Sequence, residues 1–397
     1  MDLISRSRPA SPASGRGGFL VGRSLAFLWC FAMWFSAAAT LAEAPSDAEP
    51  ATLEIGAEAP DFELPGVDGR RYRLAEFADS EVLVVVFTCN HCPTAQAYES
   101  RIKQLVDDYR PRGVALVAIS PNDPLAVRLD ELGYTDVGDT YEDMKLRATE
   151  AAFDFPYLYD GETQSVTRAY GPIATPHAFV FDRERKLRYR GRIDDAEVGT
   201  VTKRELTDAL EAVLAGRAPA IETTRVPGCS IKWASKRGGV GQEQAEWQQK
   251  PVELAALDLD GVRALRSGDG KTLRLINVWA TYCGPCLTEI PAFVEMQRMY
   301  GGREFEVVLL TVDAESAHPQ ALERLRERHA AVRNYRVPGD DLDQLAEALD
   351  AQWPGPLPHT VLVDSDGTIL YRKTGEIDPL EVRRAIVQKL GRTYPEK

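Results

Sequence analysis

Short apolar runs alternate with stretches of helical spacing along most of the chain. "VLVVVF" ends at Phe87, and "TAQAYESRIKQLVDDYR" follows with helical spacing through Tyr98, Ile102, Leu105 and Tyr109. "VALVAIS" then predicts a strand ending at Ser120. Further on come "AFVFD" from Ala178, a turn at "RERK", a strand at "LRYRG" and a helix around "ELTDALEAVLAG", closed by Gly216. The same order repeats. "LRLINVW" ends at Trp279, a helix runs from about Cys286 to Tyr300, and "FEVVLLTVD" and "TVLVD" predict strands. After the turn "SDG" come a strand, "ILYRK", and a last helix, "PLEVRRAIVQKL". Strands alternating with helices, and a hairpin near each end, predict an α/β protein of two tandem units with mixed central sheets flanked by helices.

Between the copies lies a Gly-, Pro- and polar-rich stretch, from which residues 236–249 are expected to act as a linker. The units then span 53–235 and 250–397, and 397 residues suffice for two separate cores. The N-terminus has a different pattern. Arg6, Arg8, Arg16 and Arg23 precede an apolar stretch from Leu25 to Ala42, and an acidic, Pro- and Ala-rich spacer at 43–52 follows. Basic flank, apolar segment and small residues predict a signal peptide over 1–42, cleaved after Ala42. At 18 residues the segment also approaches the length of a membrane anchor. The expected location is therefore extracytoplasmic, periplasmic in a bacterium, with membrane contact only if this segment stays attached.

Cleavage would remove four arginines and one aspartate, taking the formal charge from −13 to −16. Such a balance excludes nucleic acid as an expected partner, because phosphate contacts need surplus Lys and Arg. Export also changes how cysteines read, since disulfides persist outside the cytoplasm. Five would remain: Cys89, Cys92, Cys229, Cys283 and Cys286.

Four of these form two C-x-x-C pairs, "CNHC" and "CGPC", each just after a buried strand and before a helix. A helix N-terminus favours negative charge, so a cysteine placed there has its thiolate favoured. Two intervening residues let the second cysteine close a disulfide with the first. The expectation is a reversible two-electron switch in which an exposed first cysteine attacks and a buried second one resolves. Zinc would need four ligands, and pairs 191 residues apart in separate strand–helix units do not make a ribbon. No metal and no cofactor beyond the cysteine pairs are expected.

Val278 to Pro291, "VWATYCGPCLTEIP", resembles the TlpA/ResA type of thioredoxin-fold reductase, with Tyr282 where that family usually has Trp. Asn277 stands where thioredoxin itself has a buried acid, so that proton-transfer aid is expected to be missing. The first unit resembles the peroxiredoxin-like redoxins (AhpC/TSA) through "GAEAPDFELPGVDGR", "FTCNHCP", "FPYLYD", "AYGPIATPHAFVFD", "YRGRIDD" and "GCSIKW". The resemblance implies cis peptide bonds before Pro176 and Pro358. It also implies that the backbones of Thr175 and Leu357 are free to pair with an extended peptide. Protein thiols and disulfides become the expected partners, and a membrane electron donor is implied.

Gly284-Pro285 matches the thioredoxin dipeptide, associated with a reducing couple. Asn90-His91 resembles oxidising dithiols, in which His91 would stabilise a thiolate at Cys89. Electrons are then expected to run from the second unit to the first. His177 and His359, each following a proline, are expected in the core, and His318 and His329 at the surface. Glu289 reads either as a proton relay or as a solvated helix carboxylate. Cys229 reads as a relay thiol toward Cys89–Cys92 or as a small buried hydrophobe.

The leading expectation is an exported thiol:disulfide oxidoreductase, in cytochrome c maturation or periplasmic thiol repair. One alternative is a thiol peroxidase, although Thr88 stands four residues before Cys92 where a peroxidatic T-x-x-C needs three. Another is a copper-binding module using Cys89, Cys92 and His177.

Overall fold

Val82–Phe87 is buried along its whole length, and that burial places it at the centre of a five-stranded sheet. The order across the sheet is Tyr157–Tyr159, Val114–Ser120, Val82–Phe87, His177–Phe181, Leu187–Gly191. The central strand runs parallel to Val114–Ser120 and antiparallel to His177–Phe181. Alternation splits its side chains between two cores. Val82, Val84 and Val86 face one layer with Tyr98, Ile102 and Leu206, while Leu83, Val85 and Phe87 face the other with Tyr170 and Phe179.

Leu273–Trp279 occupies the equivalent place in a six-stranded sheet, ordered Ala255–Ala256, Arg333–Arg336, Phe305–Thr311, Leu273–Trp279, His359–Val363, Ile369–Thr374. It too is parallel to the strand that follows and antiparallel to the strand after the proline. Both sheets are thus of the mixed thioredoxin type, with helices on their faces. In each, the cysteine segment leaves the end of the central strand opposite a histidine: Phe87 pairs with His177 and Val278 with His359. That register brings Thr175-Pro176 and Leu357-Pro358 to the same sheet ends as the cysteines. Both peptide bonds before these prolines are cis.

The computed structural model describes residues 49–337 and 342–395. The expected signal segment over 1–42 and spacer residues 43–48 lie outside the described residues. Among the described residues, no helix is long and apolar enough to cross a membrane.

The stretch expected to link the units is not a loop. Arg237–Gln248 is a 12-residue helix despite its three glycines. Tertiary packing overrides the weak local propensity. Trp247 enters the core of the second unit and donates its indole N–H to His329 O at 2.9 Å, while Arg298 grips Glu243 and Gln244.

Both sheets belong to one compact body. Leu129 and Leu132 of the first unit pack on the core of the second. Tyr300 OH donates to Thr135 O at 2.8 Å, Arg303 Nη1 to Gly133 O at 2.9 Å, and Arg392 Nη1 to Asp136 Oδ1 at 2.7 Å. The loop 129–139 is therefore clamped by the second unit.

Candidate functional site

Strand burial ends at Ala280, and the chain turns through Thr281 and Tyr282 before the helix Gly284–Tyr300. Asp313, at the end of the neighbouring strand, fixes that turn. Its carboxylate accepts from Thr281 N at 3.1 and 3.0 Å and from Thr281 Oγ1 at 2.6 Å. Cys283 is the N-cap, and Cys286 N donates to its sulfur at 3.3 Å. Cys283 and Cys286 are joined in a disulfide with Cα atoms 5.3 Å apart. Tyr282 is the most exposed large apolar side chain here, at 74%, and marks an open face beside the couple. Leu357 makes no backbone hydrogen bond among the described residues, so its edge is open.

Glu289 is buried rather than solvated, one turn beyond Cys286. Asn277 Nδ2 donates to Glu289 Oε1 at 2.9 Å, and Ile377 N donates to Oε2 at 3.2 Å. Burial raises the Glu289 carboxyl from 4.5 to about 7, against the lowering effect of these two donors. A buried acid thus lies against Asn277, contributed by the helix and not by the strand.

The first centre is built in a different frame. The helix Pro93–Tyr109 has Cys92 as its N-cap and Pro93 as its first residue. Cys89 lies four residues before the helix start, so the second cysteine, not the first, meets the helix N-terminus. Both are buried. Burial pushes the Cys89 thiol up, well above the usual range, as does its hydrogen bond to Cys92. Burial pushes Cys92 up as well, but hydrogen bonds from Cys229 and Cys89 and the charge of His91 outweigh it and hold Cys92 well below the usual thiol value. The helix N-terminus and the His91 charge thus fall on Cys92 at this centre, where both were expected at Cys89.

Asp139 organises this loop. Its Oδ1 accepts from Asn90 N at 3.0 Å and His91 N at 3.1 Å, and its Oδ2 faces His91 Nδ1 at 2.6 Å and Asn122 Nδ2 at 2.8 Å. Burial alone would lower His91, but the Asp139 charge and hydrogen bond prevail and raise it above its ordinary value. Asp139 and Asp313 come from other parts of the chain with no motif spacing to the cysteines, which is why sequence reasoning missed them. Each is the acid next to an apolar-to-polar switch, a signal too common to single out.

Cys89 Sγ and Thr175 Oγ1 are 3.1 Å apart, and the Cys92 thiol donates to Thr175 O at 3.2 Å. The edge of Thr175, expected to be free for peptide, is already paired. Ala174-Thr175 and Cys229-Ser230 form a two-stranded antiparallel ladder with Thr175 opposite Cys229. Cys229 N donates to Cys92 Sγ at 3.3 Å, and Cys229 packs on the cluster of Cys89, Cys92 and Ala95. Cys229 is thus beside the Cys89 and Cys92 pair, with its backbone N–H on Cys92.

His177 is buried against Phe179, accepts from Ile173 N at 3.4 Å, and burial lowers it to about 3. His359 stacks on Trp353 and contacts Thr374 and Asp350; burial lowers it too. His318 and His329 are half-buried, with His318 Nε2 3.0 Å from Asp313 O. The group of potential metal ligands here is Cys89, His91 and Asp139, with ligand atoms within 4.8 Å of one another; His177 is not part of it. Asp139 engages His91 Nδ1 at 2.6 Å, while the buried His91 Nε2 has no hydrogen-bond partner among the described residues.

The sequence profile described as "AhpC/TSA family" matches residues 55–190 and 246–372. The chain is similar to the "Thiol-disulfide oxidoreductase ResA" of Geobacillus thermodenitrificans, 25% identical over 167 residues, covering 42% of this chain and 81% of that protein. It is 30% identical over 129 residues to the protein of the same name from Halalkalibacterium halodurans, covering 32% and 68%. A solved structure of a hypothetical protein from Sinorhizobium meliloti is 39% identical, covers 46% of this chain and 97% of its own, and superposes with a TM-score of 0.41.

Proposed function

The chain belongs to the AhpC/TSA family, and from that premise we propose that it is a thiol:disulfide oxidoreductase exchanging electrons with protein disulfides at Cys283–Cys286. The observation that carries this reading is the couple itself: a disulfide across the first turn of a helix, beside an open edge at Leu357 and an exposed Tyr282. The ResA name of the similar proteins supports it.

In the reduced state Cys283, as N-cap, is the favoured thiolate and attacks one sulfur of a substrate disulfide. The other substrate sulfur leaves as a thiolate. Cys286 then attacks Cys283 Sγ, the mixed disulfide breaks, and the second substrate sulfur departs. Glu289, one helical turn beyond Cys286 and with its carboxyl at about 7, takes up the proton of Cys286 in this reading. The two sulfurs of the chain are oxidised and the two of the substrate reduced. Leu357 offers backbone groups to an extended peptide.

An assay of insulin disulfide reduction tests this reading. Cys283→Ser should abolish turnover while Cys89→Ser leaves a measurable rate. Full activity in Cys283→Ser would overturn it.

A second reading, thiol peroxidase at the first centre, is favoured by one observation: Cys92 caps the start of a helix and is followed by Pro93-Thr94. Peroxide consumption lost in Cys92→Ser and kept in Cys283→Ser would establish it. The N-terminal segment supports an extracytoplasmic site of action, and the resemblance supports a membrane electron donor and service in cytochrome c maturation or thiol repair. Loss of c-type haem staining in a deletion strain would separate those two services.

A further inference from the structure

The edges before the two prolines hold equivalent places in their sheets, and they differ in occupancy. Leu357 is open, whereas Thr175 is paired along the strand Cys229–Ser230. An incoming peptide at such an edge would place its cysteine near the reactive sulfur. Cys229 already sits there, opposite Thr175, with its own N–H on Cys92 Sγ at 3.3 Å. The approach is closer than a side chain would allow. A Cβ at Gly228, whose φ is +122°, would lie 2.0 Å from Thr175 O. Cys229 is only half-buried, so solvent and small reagents reach it more readily than Cys89.

We propose that the segment Gly228–Ser230 is a built-in substitute for a substrate peptide, and that Cys229 is the resolving thiol for Cys92. The inference rests on the thiol–disulfide chemistry proposed above, but it concerns the other centre. It makes the first centre a three-thiol site closed to extended peptides, where a small disulfide must reach the buried Cys92 past the half-buried Cys229.

With a small disulfide such as oxidised glutathione, Cys92 thiolate attacks one sulfur, a Cys92–glutathione bond forms, and one glutathione thiolate leaves. Cys229 loses its proton to that thiolate and attacks Cys92 Sγ. The Cys92–Cys229 bond forms and the second glutathione leaves. Two thiols of the chain are oxidised and one disulfide becomes two thiols. Cys89 can exchange in afterwards, giving Cys89–Cys92 and freeing Cys229, with no net redox change.

The test is disulfide mapping of the full-length chain in a Cys283→Ser/Cys286→Ser background, oxidised with glutathione disulfide and digested without reduction. The expected products include a Cys92–Cys229 link, retained in Cys89→Ser, lost in Cys229→Ser and strongly reduced in Gly228→Ala. In Cys229→Ser, Cys89→Ser together, Cys92 should stop at the glutathione adduct. Mapping needs no catalytic turnover, so it stands apart from the insulin assay. A Cys89→Ser protein that carries only glutathionylated Cys92, with Cys229 still alkylatable, would overturn the proposal.

Discussion

His91 Nδ1 and Asp139 Oδ2 lie 2.6 Å apart in a fully buried site, and the same carboxylate also accepts the backbone N–H groups of Asn90 and His91. Asp139→Asn removes the counter-charge, so His91 loses its raised pKa and Cys92 loses a positive neighbour. Alkylation of Cys92 by iodoacetamide at neutral pH should slow by about tenfold, one pK unit of lost stabilisation. Stability should fall by roughly 3 kcal/mol, because buried donors lose a charged acceptor.

The same pair has a pH signature. His91 is raised above 6.5, so its contribution is complete below 6.5 and is lost as pH rises through its folded value. Asp139 is lowered below 3.8, so its contribution is complete above 3.8 and is lost as pH falls through its folded value. Thermal unfolding scans should show the difference between the unsubstituted chain and Asp139→Asn largest between pH 4 and 6.5, a window set by those two values.

Glu289 has the same sign as His91. Its folded carboxyl ionises at about 7 rather than 4.5, so the folded state holds the extra proton between those values and loses stability as pH rises through them. Glu289→Gln should therefore be more stable than the parent above pH 7, by on the order of 3 kcal/mol. It should also remove a limb near pH 7 from the rate of insulin reduction. Urea denaturation at pH 5 and pH 8, beside that rate profile, checks both.

Trp247 ties the helix Arg237–Gln248 to the second core. Trp247→Ala should cost about 3–5 kcal/mol, the range for emptying a buried aromatic site. A freely hinged connector would lose almost nothing in the same denaturation experiment.

Arg392→Ala should destabilise the chain by about 2–4 kcal/mol, since it removes the hydrogen-bonded partner of the buried Asp136 carboxylate and leaves Arg384, at 3.8 Å, and the more distant Arg147 charge. Hydrogen exchange should speed up in residues 129–139, and Cys92 alkylation should change with it.

Periodicity and the two C-x-x-C pairs were enough to place both central strands and the helices after them. Their identical spacing hid one difference. Proline follows the second cysteine of CNHC but lies between the two in CGPC, and so the helix begins one cysteine later in the first centre. Proline's preference for the first helical turn was legible at Pro93 and Pro285 and could have revealed the shift. Asp139, Asp313 and the Thr175–Cys229 pairing were not legible, because each depends on contacts between distant segments. The helix at 237–248 was hidden by glycines whose cost is offset by Trp247, a tertiary effect that no local window contains.

The grip of Tyr300 and Arg392 on the loop ending at Asp139 has a genetic corollary. Inherited changes in the last few residues of the chain will register as defects in a thiol some 300 positions upstream. Separating the halves would take those anchors from the loop, so neither repeat is self-contained.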